Sequence, residues 1–162
     1  MPSATSILET RNAAWPDEAA CAESALSVAR KGAIRNAFVE LLGPLGAGKT
    51  TFARHLLHGL GVEGTIKSPT YTLMEPYRAS AARGGFEIAH CDFYRFDDPG
   101  EWEDAGFRDV FAAPGLKIVE WPEKAEGLLP PADLRIFIEP ADDALRNVTM
   151  NAHTPLGAGL LS

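Results

Sequence analysis

The sequence predicts a single-domain α/β fold in which a mixed, mainly parallel sheet is flanked by helices. Short apolar runs alternate along the chain with stretches of helical periodicity, as expected where helices connect strands. The run at 37–42, AFVELL, is nearly continuous in apolar residues, which is typical of a strand covered on both faces. A chain of 162 residues without internal repeats or a clear linker suits one domain over 1–162, with an ordered core at about 15–150.

The first half of the chain predicts a helix, a buried strand and a second helix. The first helix spans about 17–31, because acidic residues open the stretch and Arg30, Lys31 and Gly32 close it. The buried strand at 37–42 runs directly into a glycine-rich loop. Apolar residues then recur at helical spacing up to Gly61, so the loop opens the second helix.

The second half of the chain predicts mostly strands. Residues 68–77 form a turn and a short strand, and Pro76 favours an edge position because proline has no amide hydrogen to donate. The small residues at 79–85 predict a surface turn, and 99–112 predicts a helix. Four further strands are predicted at 86–91, 116–120, 134–139 and 147–152.

Composition and charge exclude several classes of protein. No apolar run approaches the roughly 20 residues of a membrane-spanning helix. The first residues lack a signal-peptide pattern, and two cysteines, Cys21 and Cys91, are too few for a disulfide framework, so we expect a cytoplasmic protein. A net charge of −7 without a basic run disfavours direct binding to nucleic acid.

The loop GPLGAGKT at 43–50 matches the pattern G-x-x-x-x-G-K-T between a strand and a helix. In this pattern backbone N–H groups and the helix N-terminus surround phosphate oxygens, so polyphosphate is the expected ligand. Lys49 is expected to reach the β and γ phosphates and the Thr50 hydroxyl to bind Mg²⁺. The alternative is a glycine-rich turn that carries Lys-Thr by chance. The predicted nucleotide-binding residues of this loop are Gly43, Leu45, Gly46, Ala47, Gly48, Lys49, Thr50 and Thr51.

Two acidic residues are candidates for metal binding and catalysis. Asp92 and Glu120 each follow an apolar run, and in an open parallel sheet ligands bind at that edge. Hydrolysis needs carboxylates that hold the metal and orient water. Each acid could instead be an ordinary surface residue at a strand end. His90 lies on the same strand face as Asp92, but without a second His or Cys at ligand spacing it is interpreted as structural.

Two further residues remain open at this point. Thr70, in KSPTYT, lies downstream of the loop helix, where GTPase-like folds have a switch threonine that senses the γ-phosphate. An ordinary Ser-Pro turn explains the same segment equally well. Trp121 is either a core aromatic residue or a lid over the site, and the sequence favours the core.

Together these motifs resemble a known family. The segments LLGPLGAGKTTFARHLLHGLG, KSPTYTLMEPY, HCDFYRFDDPGEWEDAGFRD and IVEWPEKAEGLLP have the order and spacing of the TsaE (YjeE) family of bacterial ATPases. That family is required for the threonylcarbamoyladenosine modification of tRNA, and the resemblance covers about 15–150. It implies a compact P-loop NTPase-like fold, ATP with Mg²⁺ as cofactors, and assembly with the TsaB and TsaD proteins.

The resemblance also implies roles for individual residues. Thr70 becomes the switch-like threonine, Asp92 the Walker-B-like acid and Glu120 a metal ligand. Three more residues, Asp17, Glu18 and Arg146, lie in the stretches that contact the adenine side. The chain departs from the family pattern at Pro44, where an acid is usual, and at Phe96, where leucine is usual.

The expected function is therefore a Mg²⁺-dependent ATPase that acts with TsaB and TsaD to reset the transferase. An acidic protein can serve tRNA modification in this way if it does not contact the tRNA itself. One alternative is a small-molecule kinase, although its usual arginine-rich lid is not evident because Arg78, Arg83, Arg95 and Arg108 are scattered. The other alternative is a nucleotide-sensing interaction module with negligible turnover.

Overall fold

The computed structural model describes residues 6–67, 69, 72–104, 106–142 and 144–162. Their strands are β1 (Glu9–Trp15), β2 (Phe38–Leu42), β3 (Met74–Arg78), β4 (Glu87–Asp92), β5 (Leu116–Glu120), β6 (Leu134–Pro140) and β7 (Arg146–Ala152). The helices are α1 (Glu18–Ala29), α2 (Lys49–Gly59), α3 (Pro99–Asp104), α4 (Phe107–Ala112) and α5 (Pro155–Leu161). Short 3₁₀ turns lie at Gly32–Asn36, Ala81–Arg83 and Pro122–Ala125.

The described strands form one mixed sheet in the order β1-β7-β6-β2-β5-β4-β3. The four central strands, β6, β2, β5 and β4, are parallel, and β7 and β3 pair antiparallel with the outer members of that group. Strand β1 is antiparallel to β7 and therefore runs in the central direction. The predicted mixed sheet is confirmed, with most of its strands in one direction.

Helices cover both faces of the sheet. On one face, α1, α2 and α5 pack on the alternate residues of the central strands that include Val39, Leu41 and Ile118. On the opposite face, α3 and α4 contribute Trp102 and Phe107 to an aromatic cluster. The alternation of strand side chains thus divides the core into two, as expected for a sheet buried on both sides.

Several sequence predictions required correction. The helix predicted at 99–112 is two short helices, because Gly106 adopts a left-handed conformation with φ 72° at the start of α4. The strand β1 and the helix α5 were not predicted. The edge position expected for Pro76 is confirmed, since β3 is the last of the described strands in the sheet order and β4 is its one neighbour among them. Within the described residues, no helix combines the length and apolar character that a membrane span needs.

Candidate nucleotide-binding site

The glycine-rich loop connects the central strand β2 to α2. Gly46 and Gly48 have positive φ values of 76° and 109°, and a Cβ at either position would meet no other atom within 4 Å. Residues that carry a side chain rarely adopt this backbone conformation, so both positions require glycine. Gly43 serves close packing as well, because a Cβ there would overlap the carbonyl oxygen of Ile138 on β6. The loop is therefore anchored on the sheet at its start and open towards solvent at its tip.

Lys49, the first residue of α2, folds back onto the loop. Its Nζ donates to the carbonyl oxygens of Gly43 and Pro44, the latter at 3.0 Å, and lies 4.0 Å from the centroid of the Trp121 ring. The residue is only 5% exposed. Burial lowers the pKa of Lys49, and the nearby carboxylates of Glu120, Glu123 and Asp92 oppose that shift. The ammonium group is thus held at the loop by carbonyl dipoles and an aromatic face.

Glu120, the last residue of β5, joins the loop helix to the neighbouring strand. Its Oε1 accepts a hydrogen bond of 2.8 Å from the Thr50 hydroxyl. Its Oε2 lies 2.7 Å from His90 Nε2 on β4. Glu120 is 1% exposed and His90 is fully buried. Both carboxylate oxygens are therefore fixed, and the carboxylate lies directly beneath the start of α2.

Asp92 occupies the position opposite Glu120 on the adjacent parallel strand, β4. Its Oδ1 accepts a 2.9 Å hydrogen bond from the backbone N–H of Tyr94. Burial raises the pKa of Asp92, and the neighbouring Glu120 adds to the shift, whereas the Tyr94 hydrogen bond, His90 and Lys49 oppose it. The two predicted carboxylates thus meet at one edge of the sheet.

A cavity of about 440 Å³ opens where these residues meet. Its lining consists of Leu45, Gly46, Ala47, Gly48, Lys49, Thr50, Thr51, Asp92, Tyr94, Arg95, Glu120 and Trp121. The structure therefore brings together every predicted loop residue except Gly43, which lies behind the loop against β6. Thr70, the predicted switch threonine, lies outside the described residues.

A second cavity of about 220 Å³ adjoins the first and shares Ala47, Gly48 and Thr51 with it. The predicted adenine-side residues line this cavity together with Trp15 and Cys21. Asp17 caps α1 by accepting from the Ala20 N–H at 3.0 Å, and Glu18 Oε2 lies 2.8 Å from His55 Nε2. Arg146 Nε donates to the Ala47 carbonyl at 2.9 Å, so Arg146 also supports the glycine-rich loop.

Three residues of the first cavity were not predicted as binding residues: Tyr94, Arg95 and Trp121. Tyr94 and Arg95 follow Asp92 directly, so their position just beyond a strand end was a usable signal. Trp121, for which the sequence favoured the core, does pack against the aromatic cluster as a partly buried residue, but it also lines the cavity, and its φ of 58° is left-handed. Such a conformation is uncommon for a bulky residue and is found at functional sites. The Tyr94 ring packs against it with centroids 4.9 Å apart.

The residues present fit a magnesium nucleotide. Thr50, Glu120 and Asp92 offer hydroxyl and carboxylate oxygens, which Mg²⁺ prefers, and the open glycine loop offers N–H groups for phosphates. Within the described part of the chain, no group of three His, Cys, Asp or Glu side chains is arranged to hold a metal by itself. This is the usual situation for Mg²⁺, which takes one or two carboxylates and completes its shell with phosphate and water.

The parallel strand β2, the glycine loop and α2, with carboxylates on the neighbouring strands, define a P-loop-type α/β protein. The family model for "Threonylcarbamoyl adenosine biosynthesis protein TsaE" matches residues 15–148. The chain therefore belongs to the TsaE family, which takes part in threonylcarbamoyladenosine biosynthesis. The resemblance seen in the sequence motifs is confirmed.

Two curated relatives and one solved structure agree with this assignment. The tRNA threonylcarbamoyladenosine biosynthesis protein TsaE of Haemophilus influenzae is 47% identical over 124 residues, which cover 76% of this chain and 75% of the relative. The TsaE protein of Bacillus subtilis is 39% identical over 112 residues, covering 69% and 67%. The crystal structure of YdiB from Bacillus subtilis superimposes with a TM-score of 0.76 at 26% identity, covering 97% of this chain and 95% of that one.

Proposed function

We propose that this protein is a Mg²⁺-dependent ATP-binding and hydrolysing component of the bacterial machinery for threonylcarbamoyladenosine modification of tRNA. It acts in the cytoplasm with the TsaB and TsaD proteins and uses ATP to reset the transferase. The observation that carries the proposal is the bridge from Thr50 to Glu120 at 2.8 Å beside the open glycine loop. This hydrogen bond joins the proposed phosphate-binding loop to a carboxylate. Metal-assisted phosphoryl transfer requires these two elements close together.

The residues of the chain have separable roles in this proposal. Loop N–H groups and Lys49 bind the phosphates, and Thr50 with Glu120 holds the metal. When bound, Mg²⁺ neutralises charge that develops on the phosphate oxygens. Asp92 orients the attacking water or completes the metal shell, and its buried carboxylate supports either task because it faces the same cavity. Trp121 and Tyr94 form an aromatic wall of the cavity next to Lys49.

The second cavity supports ATP as the nucleotide. It continues the phosphate cavity across Ala47, Gly48 and Thr51, and its wall includes the aromatic ring of Trp15. A base and ribose attached to phosphates in the first cavity would extend into this space. The acidic side chains of Asp17 and Glu18 suit the donor groups of a ribose or an adenine amine.

The kinase alternative receives less support. Of the four arginines considered, Arg95 lines the phosphate cavity. Arg78 pairs with Glu87, and Arg108 pairs with Glu103 at 2.5 Å, both on exposed surface. Converging arginines that would stabilise a phosphoryl group in transfer to a second substrate are thus not assembled among these residues.

Phosphate release from ATP tests the proposed function. Asp92→Asn and Glu120→Gln keep shape but lose charge, so we expect turnover to fall about a hundredfold or more while ADP binding without metal changes little. Glu120→Gln should also need much more Mg²⁺ for half-maximal activity. Glu126→Gln, an exposed change on the same segment, serves as the matched control.

Three results would count against this proposal. Wild-type turnover in both carboxylate variants would remove the assigned site. Formation of a phosphorylated acceptor in proportion to ADP would favour a kinase. Negligible turnover both alone and with TsaB and TsaD would favour a nucleotide-sensing module.

A further inference from the structure

His90 is a buried polar side chain that contacts the proposed site but has no role in it so far. It lies in the middle of β4 and is 0% exposed, although a histidine ring has two nitrogen atoms that need partners in a core. Nε2 lies 2.7 Å from Glu120 Oε2, whereas Nδ1 has no hydrogen-bond partner among the residues that the structure describes. A buried ring nitrogen without a partner costs stability, and the hydrogen bond at Nε2 is what opposes that cost.

The strand register explains how His90 reaches Glu120. His90 pairs with Ile118 across the parallel β4–β5 ladder, and Asp92 pairs with Glu120. Because side chains alternate along a strand, His90, Asp92 and Glu120 project from the same face, which α2 covers. The imidazole therefore lies two residues before Asp92 along β4, on the side of the carboxylates that is away from the cavity. His90 does not line the cavity and is not placed to touch phosphate.

The hydrogen bonds also determine the form of the ring. Glu120 Oε2 is an acceptor, so Nε2 donates, and a proton on Nδ1 would be buried without an acceptor. The Nε2–H tautomer satisfies both conditions. With Oε2 held by His90 and Oε1 by Thr50, the carboxylate of Glu120 is fixed at both oxygens.

We propose that His90 is a positioning residue that holds Oε2 of Glu120 and thereby keeps Oε1 at the Thr50 hydroxyl, where these two residues would hold Mg²⁺. This inference rests on the proposed function. The sequence indicated only that His90 is structural. The proposal is more specific, because it says that the ring acts through one oxygen atom of the Glu120 carboxylate. Partners of metal-binding carboxylates typically contribute about 10–100-fold to metal affinity or activity.

The test compares two substitutions at His90 by calorimetry of a non-hydrolysable ATP analogue, with Mg²⁺ or with chelator. His90→Leu removes the donor, so we expect the Mg²⁺ concentration for half-saturation to rise about tenfold, with metal-free binding within about twofold of wild type. His90→Gln is the matched control, because its side-chain amide can donate from nearly the position of Nε2. It should restore most of the Mg²⁺ dependence. Unfolding in urea establishes that both variants are folded.

A double-substitution cycle asks whether His90 acts through Glu120. In a Glu120→Gln background, His90→Leu should change the Mg²⁺ requirement no further. Additive effects, or equal defects in folded His90→Leu and His90→Gln, would overturn the proposal. So would wild-type Mg²⁺ dependence in His90→Leu.

One measurement on the unmodified protein is independent of the folding of any variant. Nitrogen NMR of labelled histidine should give the Nε2–H tautomer for the buried ring, and a proton on Nδ1 alone would contradict the proposed hydrogen bond. If the wild-type protein binds the analogue equally with and without Mg²⁺, the proposed function fails instead, whatever the His90 variants do.

Discussion

The ammonium nitrogen of Lys49 lies 4.0 Å from the centroid of the Trp121 indole ring. Lysine over the face of tryptophan is attracted by the ring quadrupole, and the attraction is stronger when the pair is shielded from water. Lys49 is nearly buried, and the carbonyls of Gly43 and Pro44 accept hydrogen bonds from the same nitrogen. A phosphate that binds Lys49 must therefore compete with three partners within the protein.

Replacement of Lys49 should weaken nucleotide binding and loosen the loop. In Lys49→Ala we expect ATP affinity to fall by at least about tenfold, because a charge-assisted contact to phosphate is lost. The free energy of unfolding should also fall by about 1 kcal/mol, since two loop carbonyls lose a donor. Calorimetric titration and urea unfolding measure the two effects. Lys31→Ala, at the far end of α1, should leave ATP affinity unchanged, and the loop assignment is wrong if Lys49→Ala does so too.

Trp121 should report phosphate binding by its fluorescence. If a phosphate draws Lys49 away, the indole loses a cation from its face, and its emission should change on addition of tripolyphosphate with Mg²⁺. Tripolyphosphate has no base, so Trp15 in the second cavity should contribute little. The signal should disappear in Trp121→Phe and persist in Trp102→Phe, whose ring lies in the aromatic core of α3 and α4. A signal that survives in Trp121→Phe would contradict this assignment.

Gly43 should be the least replaceable glycine of the loop for reasons of stability. Alanine at this position would bring Cβ onto the Ile138 carbonyl, and β6 has little freedom to move because it pairs with β2 and β7. We expect Gly43→Ala to lower the free energy of unfolding by about 2 kcal/mol or more. Gly32→Ala is the control, since a Cβ at that position would meet no other atom within 4 Å. Equal stability of both variants in urea would show that the loop does not press on β6.

Glu40 provides a pH-dependent prediction. This glutamate is 4% exposed in β2, and burial raises its pKa, although the hydrogen bond and charge of Arg135 oppose the shift. Since the folded-state pKa lies above the unfolded value, Glu40 stabilises the fold at low pH, and this contribution is lost as pH rises through the raised pKa. The isosteric Glu40→Gln variant does not titrate. Its unfolding free energy relative to wild type should therefore increase as pH rises above the ordinary glutamate pKa.

The measurement is a series of urea unfolding curves of both proteins at matched ionic strength. The difference between the two proteins is the relevant quantity, because acid affects the remaining groups equally. A difference that decreases with rising pH would mean that the ion pair with Arg135, at 2.8 Å, outweighs the cost of burial.

The sequence predicted the lining of the first cavity better than it predicted the ends of the chain. The loop pattern and the rule that ligands bind at strand ends are local, and the residues that they singled out, Lys49, Thr50, Asp92 and Glu120, lie in one cavity, while their roles stay predictions. The strand β1 has no such signal, because most of its residues are exposed and it is held by pairing with β7. The helix α5 contains two glycines, and tertiary packing on Asp133 rather than propensity explains it.

The sequence also could not predict the hydrogen-bond partner of His90. The pattern placed His90 and Asp92 on one strand face, but the contact with Glu120 depends on the register of β4 against β5. Register between distant segments is set by the whole sheet and is not encoded in either strand alone. The same limit applies to Trp121, whose left-handed backbone turns its ring towards Lys49.

The second cavity is built from opposite ends of the chain, with Trp15 and Asp17 on one wall and Ala144 and Arg146 on another. A molecule that extends from the phosphate loop into this space would act as a non-covalent cross-link between the two termini of the fold. Fraying from either end, which exposes a chain to terminus-directed proteases, would then require release of that molecule. Occupancy of this cavity would therefore protect both ends of the fold from such proteases together.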